Sequence, residues 1–571
     1  MTLSPTRDSE VTPGGPAAAR IGLEARAASS TPVTDREWWR TAAIFQVYVR
    51  SFADGNGDGI GDLAGVRSRL GYLASLGIDA IWFTPWYRSP LADGGYDVED
   101  YRAIHPDFGT VAEAEALISE AAALGIRTIV DVVPNHVSDQ HAWFREALAS
   151  EPGSDARARF WFRDGKGPNG DLPPGNWPSS FSGSTWTRTM NPDGTPGQWY
   201  LHLFTPEQPD LNWDHPDVRR EHEDVLRFWF DRGVAGVRID SAALVAKDPE
   251  LPEIDGEYAA GQHPNLDRDD LHEIYRGWRT IAEDYSGVLV GEIWLADLKR
   301  FALYLRPDEI HMAFNFDFMS RPWGADGFRA AITETLAAHE PVGAPATWVL
   351  SNHDVTRPVT RFGRADSAFA FDAKRFGTPS DLVVGARRAR AAAMLVAALP
   401  GALYVYQGDE LGLPEVEDIP LDRLEDPMHF RSGGVDPGRD GCRVPIPWTN
   451  DAANAGFSPD GTDAAPWLPQ PADWARYSVT AQQDDPTSTL TLYRRMLELR
   501  RGDDLQHGAF AWQDDTSDVI AFRRGALLHL TNCGTTNVPL PDDADVVLAS
   551  GPLTDHTLPA DTSVWLAVHS V

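Results

Sequence analysis

Eight short apolar runs, rich in β-branched and aromatic residues, recur along the chain between segments of helical periodicity. They are Ala43 to Phe52, Ile78 to Pro85, Ile126 to Asn135, Val234 to Ala242, Gly287 to Trp294, Met312 to Phe318, Ala346 to Asp354 and Ala402 to Glu410. Runs apolar on both faces read as strands of a parallel sheet that is covered by helices. With helical spacers such as Val111 to Leu124 and Val218 to Arg232, the eight repeats predict an α/β fold, a (β/α)8 TIM barrel. Functional side chains of such barrels gather at the C-terminal ends of the strands. Asn135-His136, Asp240, Glu292 and His353-Asp354 stand at those ends, each closing a run that is otherwise apolar.

The third and fourth runs lie about a hundred residues apart, far beyond the ~2–6 residues of an ordinary βα loop plus a helix. That gap predicts a loop-rich insertion domain after strand three, as Pro173-Pro174-Gly175-Asn176-Trp177 suggests. From about Arg500 the pattern turns to alternating strands broken by turns, in Val519 to Phe522 and Leu527 to Leu530. This predicts a C-terminal antiparallel β-sandwich domain. The expected organisation is a flexible tail over 1–35, barrel over 36–135, insertion over 136–205, barrel again over 206–490 and the β domain over 491–571.

The longest uncharged stretch, Ala391 to Gly408, has 18 residues and is cut by Pro400-Gly401. A buried helix followed by a buried strand explains it better than a membrane span. The first 35 residues contain no apolar core of a secretory signal. Against 50 basic side chains stand 84 acidic ones, a net charge of −34, so nucleic acid and anionic membrane are repelled rather than steered in. Cys442 and Cys533 cannot form a disulfide framework, and the chain is expected in a reducing, cytoplasmic compartment.

Arg238 and Asp240 are two apart and share one side of the fourth strand. An arginine beside a carboxylate favours the ionised form that a nucleophile needs, although an isolated Arg-x-Asp reads more readily as a structural ion pair. Glu292 lies close to Trp294, an apolar neighbour that can hold a glutamic acid protonated as a general acid. One ionised and one protonated carboxyl on neighbouring strands meet the requirements of glycoside cleavage through a covalent intermediate.

Asp131-Val-Val-Pro-Asn135-His136, Gly236-Val-Arg238-Ile-Asp240, Gly291-Glu292-Ile-Trp294 and Ser351-Asn-His353-Asp354 occur in this order, each at a strand end. In these motifs the chain resembles the α-amylase superfamily, glycoside hydrolase family 13, in its oligosaccharide α-glucosidase branch. The resemblance runs from about Trp38 to the C-terminus. It implies Asp240 as nucleophile, Glu292 as general acid/base and Asp354 as transition-state stabiliser, with His136, Arg238 and His353 holding the glucosyl ring. It also implies that Asp93 and Tyr96 grip the non-reducing glucose, that Phe204 lines the same pocket, and that Arg443 narrows its far wall and closes it together with Asp93. Gln208-Pro-Asp-Leu-Asn-Trp213 resembles the marker of the oligo-1,6-glucosidase subgroup, whereas Gly441-Cys442 and Ile446-Pro447 around Arg443 depart from the family's usual form.

Asp54-Gly-Asn56-Gly-Asp58-Gly-Ile60-Gly-Asp62 places oxygen side chains at alternate positions, as a hard cation requires. It is not an EF-hand, because Gly65 occupies the position of the bidentate glutamate. The resemblance implies a structural Ca2+, or Mg2+, held by Asp54, Asn56, Asp58, the Ile60 carbonyl and Asp62.

The expected activity is exo-acting hydrolysis of short α-glucosides rather than of starch. Ser241, directly after Asp240, occupies a position where valine accompanies α-1,6 cleavage in relatives and smaller or polar residues accompany α-1,4. Maltose-like substrates are therefore expected, with α-1,6 cleavage, transglycosylation and isomerisation of maltose or sucrose as alternatives sharing the same catalytic residues. A non-enzymatic relative, the ancillary protein of amino-acid transporters, is disfavoured because its role goes with a membrane anchor and degraded carboxylates, and a pure sugar-binding module would not need both Asp240 and Glu292.

Overall fold

The computed structural model describes residues 36–191, 193–513 and 518–568. The tail expected over 1–35 lies outside them.

All eight apolar runs form strands: β1 (Ala43–Val47), β2 (Ala80–Phe83), β3 (Arg127–Val132), β4 (Gly236–Ile239), β5 (Val288–Gly291), β6 (Met312–Ala313), β7 (Thr347–Val349) and β8 (Ala402–Tyr406). They pair in parallel in the order β6-β5-β4-β3-β2-β1-β8-β7. Across the seam between β6 and β7, the Asn315 amide donates to the Thr347 carbonyl at 3.0 Å. These strands are almost wholly buried, as expected of a parallel sheet wrapped in helices.

The sixth run is shorter than expected. Its strand ends at Ala313, and Asn315 then caps a helix over Phe316–Ser320 by accepting from the Phe318 amide. Phe314, Phe316 and Phe318 are all buried, so apolarity alone does not separate strand from helix there. In the first run, likewise, a short helix over Val49–Phe52 follows β1.

The spacer helices start where their sequence dictates. Thr110 and Glu113 close a capping box on the helix Val111–Ala123, and Pro216 opens the helix Pro216–Phe230. The uncharged stretch splits into the end of a helix, Leu382–Ala398, and strand β8. Gly401 makes the turn between them at φ +120°, where a Cβ would sit 2.2 Å from the Ala346 carbonyl oxygen, so no other residue fits. Among the described residues no helix is long and apolar enough to cross a membrane.

The insertion after β3 carries a three-stranded antiparallel sheet made of Phe162–Arg163, Pro196–Leu201 and Trp186–Met190. The C-terminal region forms a five-stranded antiparallel sheet of β9 (Phe510–Trp512), β10 (Val519–Arg524), β11 (Leu527–Asn532), β13 (Thr562–Val568) and β12 (Ala544–Ala549), in that order. A two-stranded ribbon, Val538–Pro539 with Thr557–Leu558, accompanies it. The boundary expected at 490 falls within a helix, Thr489–Arg500, and the β strands begin only after it. The sheet docks on the buried helix Leu382–Ala398: Ser563 Oγ donates to the Ala391 carbonyl at 2.8 Å, and Trp565 Nε1 to that of Met394 at 3.2 Å.

Candidate active site

A cavity of about 350 Å3 opens at the C-terminal ends of the barrel strands. It is lined by Asp93, Tyr96, His136, Phe204, Asp240, Glu292, His353 and Asp354, so eight of the ten expected catalytic and sugar-contacting residues converge on it. Arg238 lies directly beneath. Arg443 is the exception.

Strand pairing fixes the two central carboxyls. The Asp240 amide donates to the Val132 carbonyl and the Glu292 amide to that of Ile239, both at 2.9 Å, which carries the barrel ladder one residue beyond β4 and β5. Arg238, inside the barrel, then binds Asp240 Oδ1 through Nη1 at 2.7 Å and Glu292 Oε2 through Nη2 at 2.6 Å. Sharing one guanidinium places both carboxyls on the pocket floor at the ends of neighbouring strands, where a pair of carboxyls can flank a scissile glycosidic bond.

The same Arg238 Nη1 also binds Asp131, at 2.9 and 3.0 Å. Trp82 Nε1 and the Tyr96 hydroxyl donate to Asp131 as well, at 3.2 and 3.1 Å. One buried cation thus serves three buried carboxyls, and burial prevails. It pushes Asp131 up to about 8 and Glu292 up to about 7, and it raises Asp240 despite Arg238.

Ser241 has φ +47°, a left-handed conformation that costs roughly 1–2 kcal/mol for a non-glycine residue. It aims the Ser241 amide at Glu292 Oε2, 3.0 Å away. On the other side Trp294 Nε1 donates to Glu292 Oε1 at 3.0 Å, and the indole stacks on Phe316 with ring centres 3.8 Å apart.

The far wall belongs to Arg439, not to Arg443. Arg439 is clamped by Asp426, whose carboxylate accepts from Nε at 2.7 Å and Nη2 at 3.0 Å. It reaches Asp354 Oδ1 through Nη1 at 3.1 Å and Asp93 through Nη2. Arg443 approaches Asp354 from outside the cavity lining, at 3.1 Å, and donates Nε to the His353 carbonyl at 2.9 Å. The two arginines are four positions apart, so helical spacing puts both beside Asp354, but only the earlier one faces the cavity and closes it with Asp93. Burial alone would raise Asp354, but the guanidiniums of Arg439 and Arg443 outweigh it and hold this carboxyl well below the usual carboxylate range.

The remaining contacts fix ring orientations. Tyr96 stacks on His353 with ring centres 5.2 Å apart at 5°. His353 Nδ1 pairs with Gln46 Nε2 at 2.7 Å, and burial keeps its imidazole neutral. His136 is pushed down to about 4 by burial and packs edge-on against Phe204 at 5.1 Å. Gln208, inside the subgroup-like segment, donates Nε2 to Asp93 Oδ2 at 3.1 Å and contacts His136 Nε2 at 3.0 Å.

In the loop Asp54–Asp62 the side-chain oxygens turn inward. Asp54 accepts from the amides of Asn56, Gly57 and Gly59, Asn56 from Asp58, Asp58 from Ile60, and Asp62 from Gly55 and Gly65. Among the described residues, no lysine, arginine or histidine forms an ion pair with Asp54, Asp58 or Asp62. Burial, with the neighbouring Asp54 and Asp58 charges, raises Asp62. An all-oxygen donor set with uncompensated negative charge fits a hard divalent cation. A second cluster, Asp155, His215 and Asp217, differs in that Asp217 is already paired with Arg159 and Arg220.

A TIM barrel with a carboxyl pair on neighbouring strands, above which an insertion helps to form a blind polar pocket, defines a class of carbohydrate-active barrel enzymes. The profile of the family described as "Alpha amylase, catalytic domain" matches residues 46–508. The chain belongs to this α-amylase family, glycoside hydrolase family 13. It is 35% identical over 508 residues to the oligo-1,6-glucosidase of Parageobacillus thermoglucosidasius, covering 82% of this chain and 85% of that one. It is 36% identical over 517 residues to a probable alpha-glucosidase of Rhizobium meliloti, covering 87% and 88%. Among solved structures, the alpha-glucosyl transfer enzyme XgtA superposes with a TM-score of 0.81 at 33% identity, covering 93% of this chain and 99% of that one.

Proposed function

We propose that this chain is a retaining, exo-acting α-glucosidase that releases terminal glucose from maltose and short α-1,4-linked oligosaccharides. The observation that carries the reading is Arg238 joining Asp240 and Glu292 on the floor of a pocket that Asp93 and Arg439 close at its far end. The closed end accommodates a chain terminus and excludes continuous polymer.

Asp240 Oδ1 is held by Arg238, and Oδ2 attacks the anomeric carbon. Glu292 passes its proton to the departing glycosidic oxygen, which leaves as the hydroxyl of the released sugar. In the second half, Glu292 takes a proton from water, the water oxygen bonds to the anomeric carbon, and Asp240 departs as carboxylate. Asp354, ionised beside Arg439, faces the positive charge that develops on the ring. His136, His353, Asp93 and Arg439 orient hydroxyls, while Tyr96 and Phe204 pack against the ring.

Asp54, Asn56, Asp58, the Ile60 carbonyl and Asp62 hold a Ca2+ or Mg2+ ion that ties the segment after β1 and does not enter the reaction. Free Cys442 and Cys533 support a reducing, cytoplasmic setting.

A second reading, α-1,6 cleavage or glucosyl transfer, is favoured by relatives: the Parageobacillus protein is an oligo-1,6-glucosidase, and a Pseudomonas mesoacidophila neighbour with a TM-score of 0.79 at 32% identity is a trehalulose synthase. Product analysis on maltose, isomaltose, sucrose and trehalose, beside Asp240→Asn, separates the readings. Glucose from maltose and an inactive variant support α-1,4 hydrolysis. Preference for isomaltose or rearranged disaccharides moves the assignment to the second reading, and no turnover on any of the four overturns both.

A further inference from the structure

We propose that the leaving-group half of the active-site cavity is built for an apolar, ring-sized aglycone, so that α-glucosides of cyclic or aromatic alcohols are bound ahead of maltose. The inference rests on the α-glucosidase reading and extends it to the group that departs from the glucose.

The polar side chains of the cavity crowd to one end. Arg439 joins Asp93 to Asp354 there and lies over the Phe181 ring at 4.8 Å. Phe204 meets Phe181 and His136 edge-on, at 5.2 and 5.1 Å. The terminal glucose is held at that end. The bond it loses lies beside Glu292, and the departing group extends from Glu292 away from Arg439.

The chain around Glu292 dictates what that group meets. Trp294 spends Nε1 on Glu292 Oε1, so its indole offers only carbon surface, and Phe371 stands edge-on to it at 5.1 Å. The Ser241 amide holds Glu292 Oε2, and the Ser241 carbonyl accepts from the Leu244 amide at 2.9 Å. The Ala243 carbonyl accepts from the Asp267 amide at 2.8 Å, which brings Leu266 to the same wall. Leu244, Leu266, Trp294 and Phe371 all line the cavity and are half-buried, so their apolar surface stays open to an occupant. Ser241 is the one hydroxyl-bearing side chain beside them, and the ionisable groups of the lining are Glu292, Asp240 and those of the glucose end.

A glucose in this half would bring several hydroxyls out of water with almost no side chain to receive them, and each unpartnered one costs free energy. A bare ring covers the same apolar surface without that cost. Trp294 and Phe371 can face the C–H side of a sugar, but Leu244 and Leu266 cannot satisfy the hydroxyls along its edge. The cavity, at about 350 Å3, is near the small end of the ~300–1,000 Å3 range of ligand sites and has room for a compact group beyond the glucose rather than a long chain. Maltose remains a substrate through its terminal glucose and ranks below such compounds.

Calorimetric titration of full-length Asp240→Asn, which cannot form the glucosyl-enzyme, with methyl α-glucoside, maltose and cyclohexyl α-glucoside tests this without turnover. The three share the terminal glucose, and the last replaces the second sugar of maltose by a ring without hydroxyls. Cyclohexyl α-glucoside is expected to bind at least tenfold more tightly than maltose. Adding Leu266→Asn is expected to shrink that ratio severalfold, with methyl α-glucoside as the reference for an intact glucose end. Equal affinities for maltose and cyclohexyl α-glucoside, or tighter binding of maltose, overturn the proposal and leave the α-glucosidase reading standing. A cyclohexyl advantage untouched by Leu266→Asn also overturns it, because the preference then does not come from this wall. Should the double variant fail to fold, the comparison on Asp240→Asn alone decides. No binding of any of the three, methyl α-glucoside included, overturns the α-glucosidase reading and this inference together.

Discussion

Replacing Trp294 by phenylalanine isolates the acid strength of Glu292. The indole Nε1 donates to Glu292 Oε1 at 3.0 Å, and its ring stacks on Phe316 and meets Phe371 edge-on at 5.1 Å. Phenylalanine keeps the stacking surface and removes the donor. An N–H bond to a carboxylate contributes ~1.5–3 kcal/mol and one to a neutral carboxyl oxygen ~0.5–1.5 kcal/mol, so the donor favours the ionised form by about 1–1.5 kcal/mol. Division by ~1.36 kcal/mol per pKa unit makes that about one unit. Without the donor, Glu292 moves up from its present value of about 7.

As the general acid, Glu292 must enter the reaction protonated, so kcat/KM of the free enzyme falls as pH rises through its pKa. Trp294→Phe is therefore expected to shift the alkaline limb of the kcat/KM profile upward by about one pH unit, whatever happens to its height. The assay is initial-rate hydrolysis of maltose between pH 5 and pH 10, with melting temperature recorded at each pH. An alkaline limb that stays in place or moves to lower pH refutes the account of Glu292.

Three further outcomes are expected. Arg439→Gln leaves Asp93, Asp354 and Asp426 without their shared cation; breaking a buried pair costs ~3–5 kcal/mol, so the melting temperature falls, and kcat/KM on maltose falls by ~10²-fold or more as the ring loses its anchor. Chelator is expected to lower the melting temperature more than it lowers the initial rate of folded enzyme; an unchanged melting curve counts against an ion at Asp54–Asp62. Asp131 lies at about 8 in the folded protein, far above the unfolded carboxyl at ~3.9. Its contribution to stability is thus complete at low pH and lost as pH rises from about 4 to about 8. Asp131→Asn, which mimics the protonated acid, is expected to flatten the decline in stability over that window, measured by denaturant unfolding at pH 5 and pH 8.

The barrel was legible because each strand is buried on both faces and several of the helices between them are capped or opened by a recognisable residue, such as Thr110 or Pro216. The strand-end carboxyls were legible because a polar residue closing an apolar run has few structural uses. The choice between Arg439 and Arg443 was not legible. Both occur in Gly438-Arg-Asp-Gly-Cys-Arg443, and what separates them is the clamp from Asp426, thirteen residues upstream, a contact set by tertiary packing. Asp131 carried a signal in its place, a carboxyl within a strand of buried apolar residues, but only the fold shows that it draws on the same guanidinium as Asp240 and Glu292.

Two guanidiniums divide the site's carboxyls into unequal sets, and the division assigns the chemistry. Arg238 is shared by Asp131, Asp240 and Glu292, all buried, so negative charge there is poorly compensated and protons are retained: by Asp131 up to about 8, by Glu292 up to about 7. Arg439 serves Asp93, Asp354 and Asp426, with Arg443 added beside Asp354, so Asp354 and Asp426 stay ionised throughout. A carboxylate as firmly stabilised as Asp354 makes a poor nucleophile but a lasting negative charge beside an oxocarbenium-like ring. Asp240 has only a share of one arginine and keeps the basicity that bond formation requires. Glu292, poised at about 7, gives and regains a proton at little cost in either direction, as both halves of a double displacement demand. Adding a second cation beside Asp240 would lower its pKa and its nucleophilicity together, so the scarcity of positive charge on that side of the pocket is what makes the reaction possible.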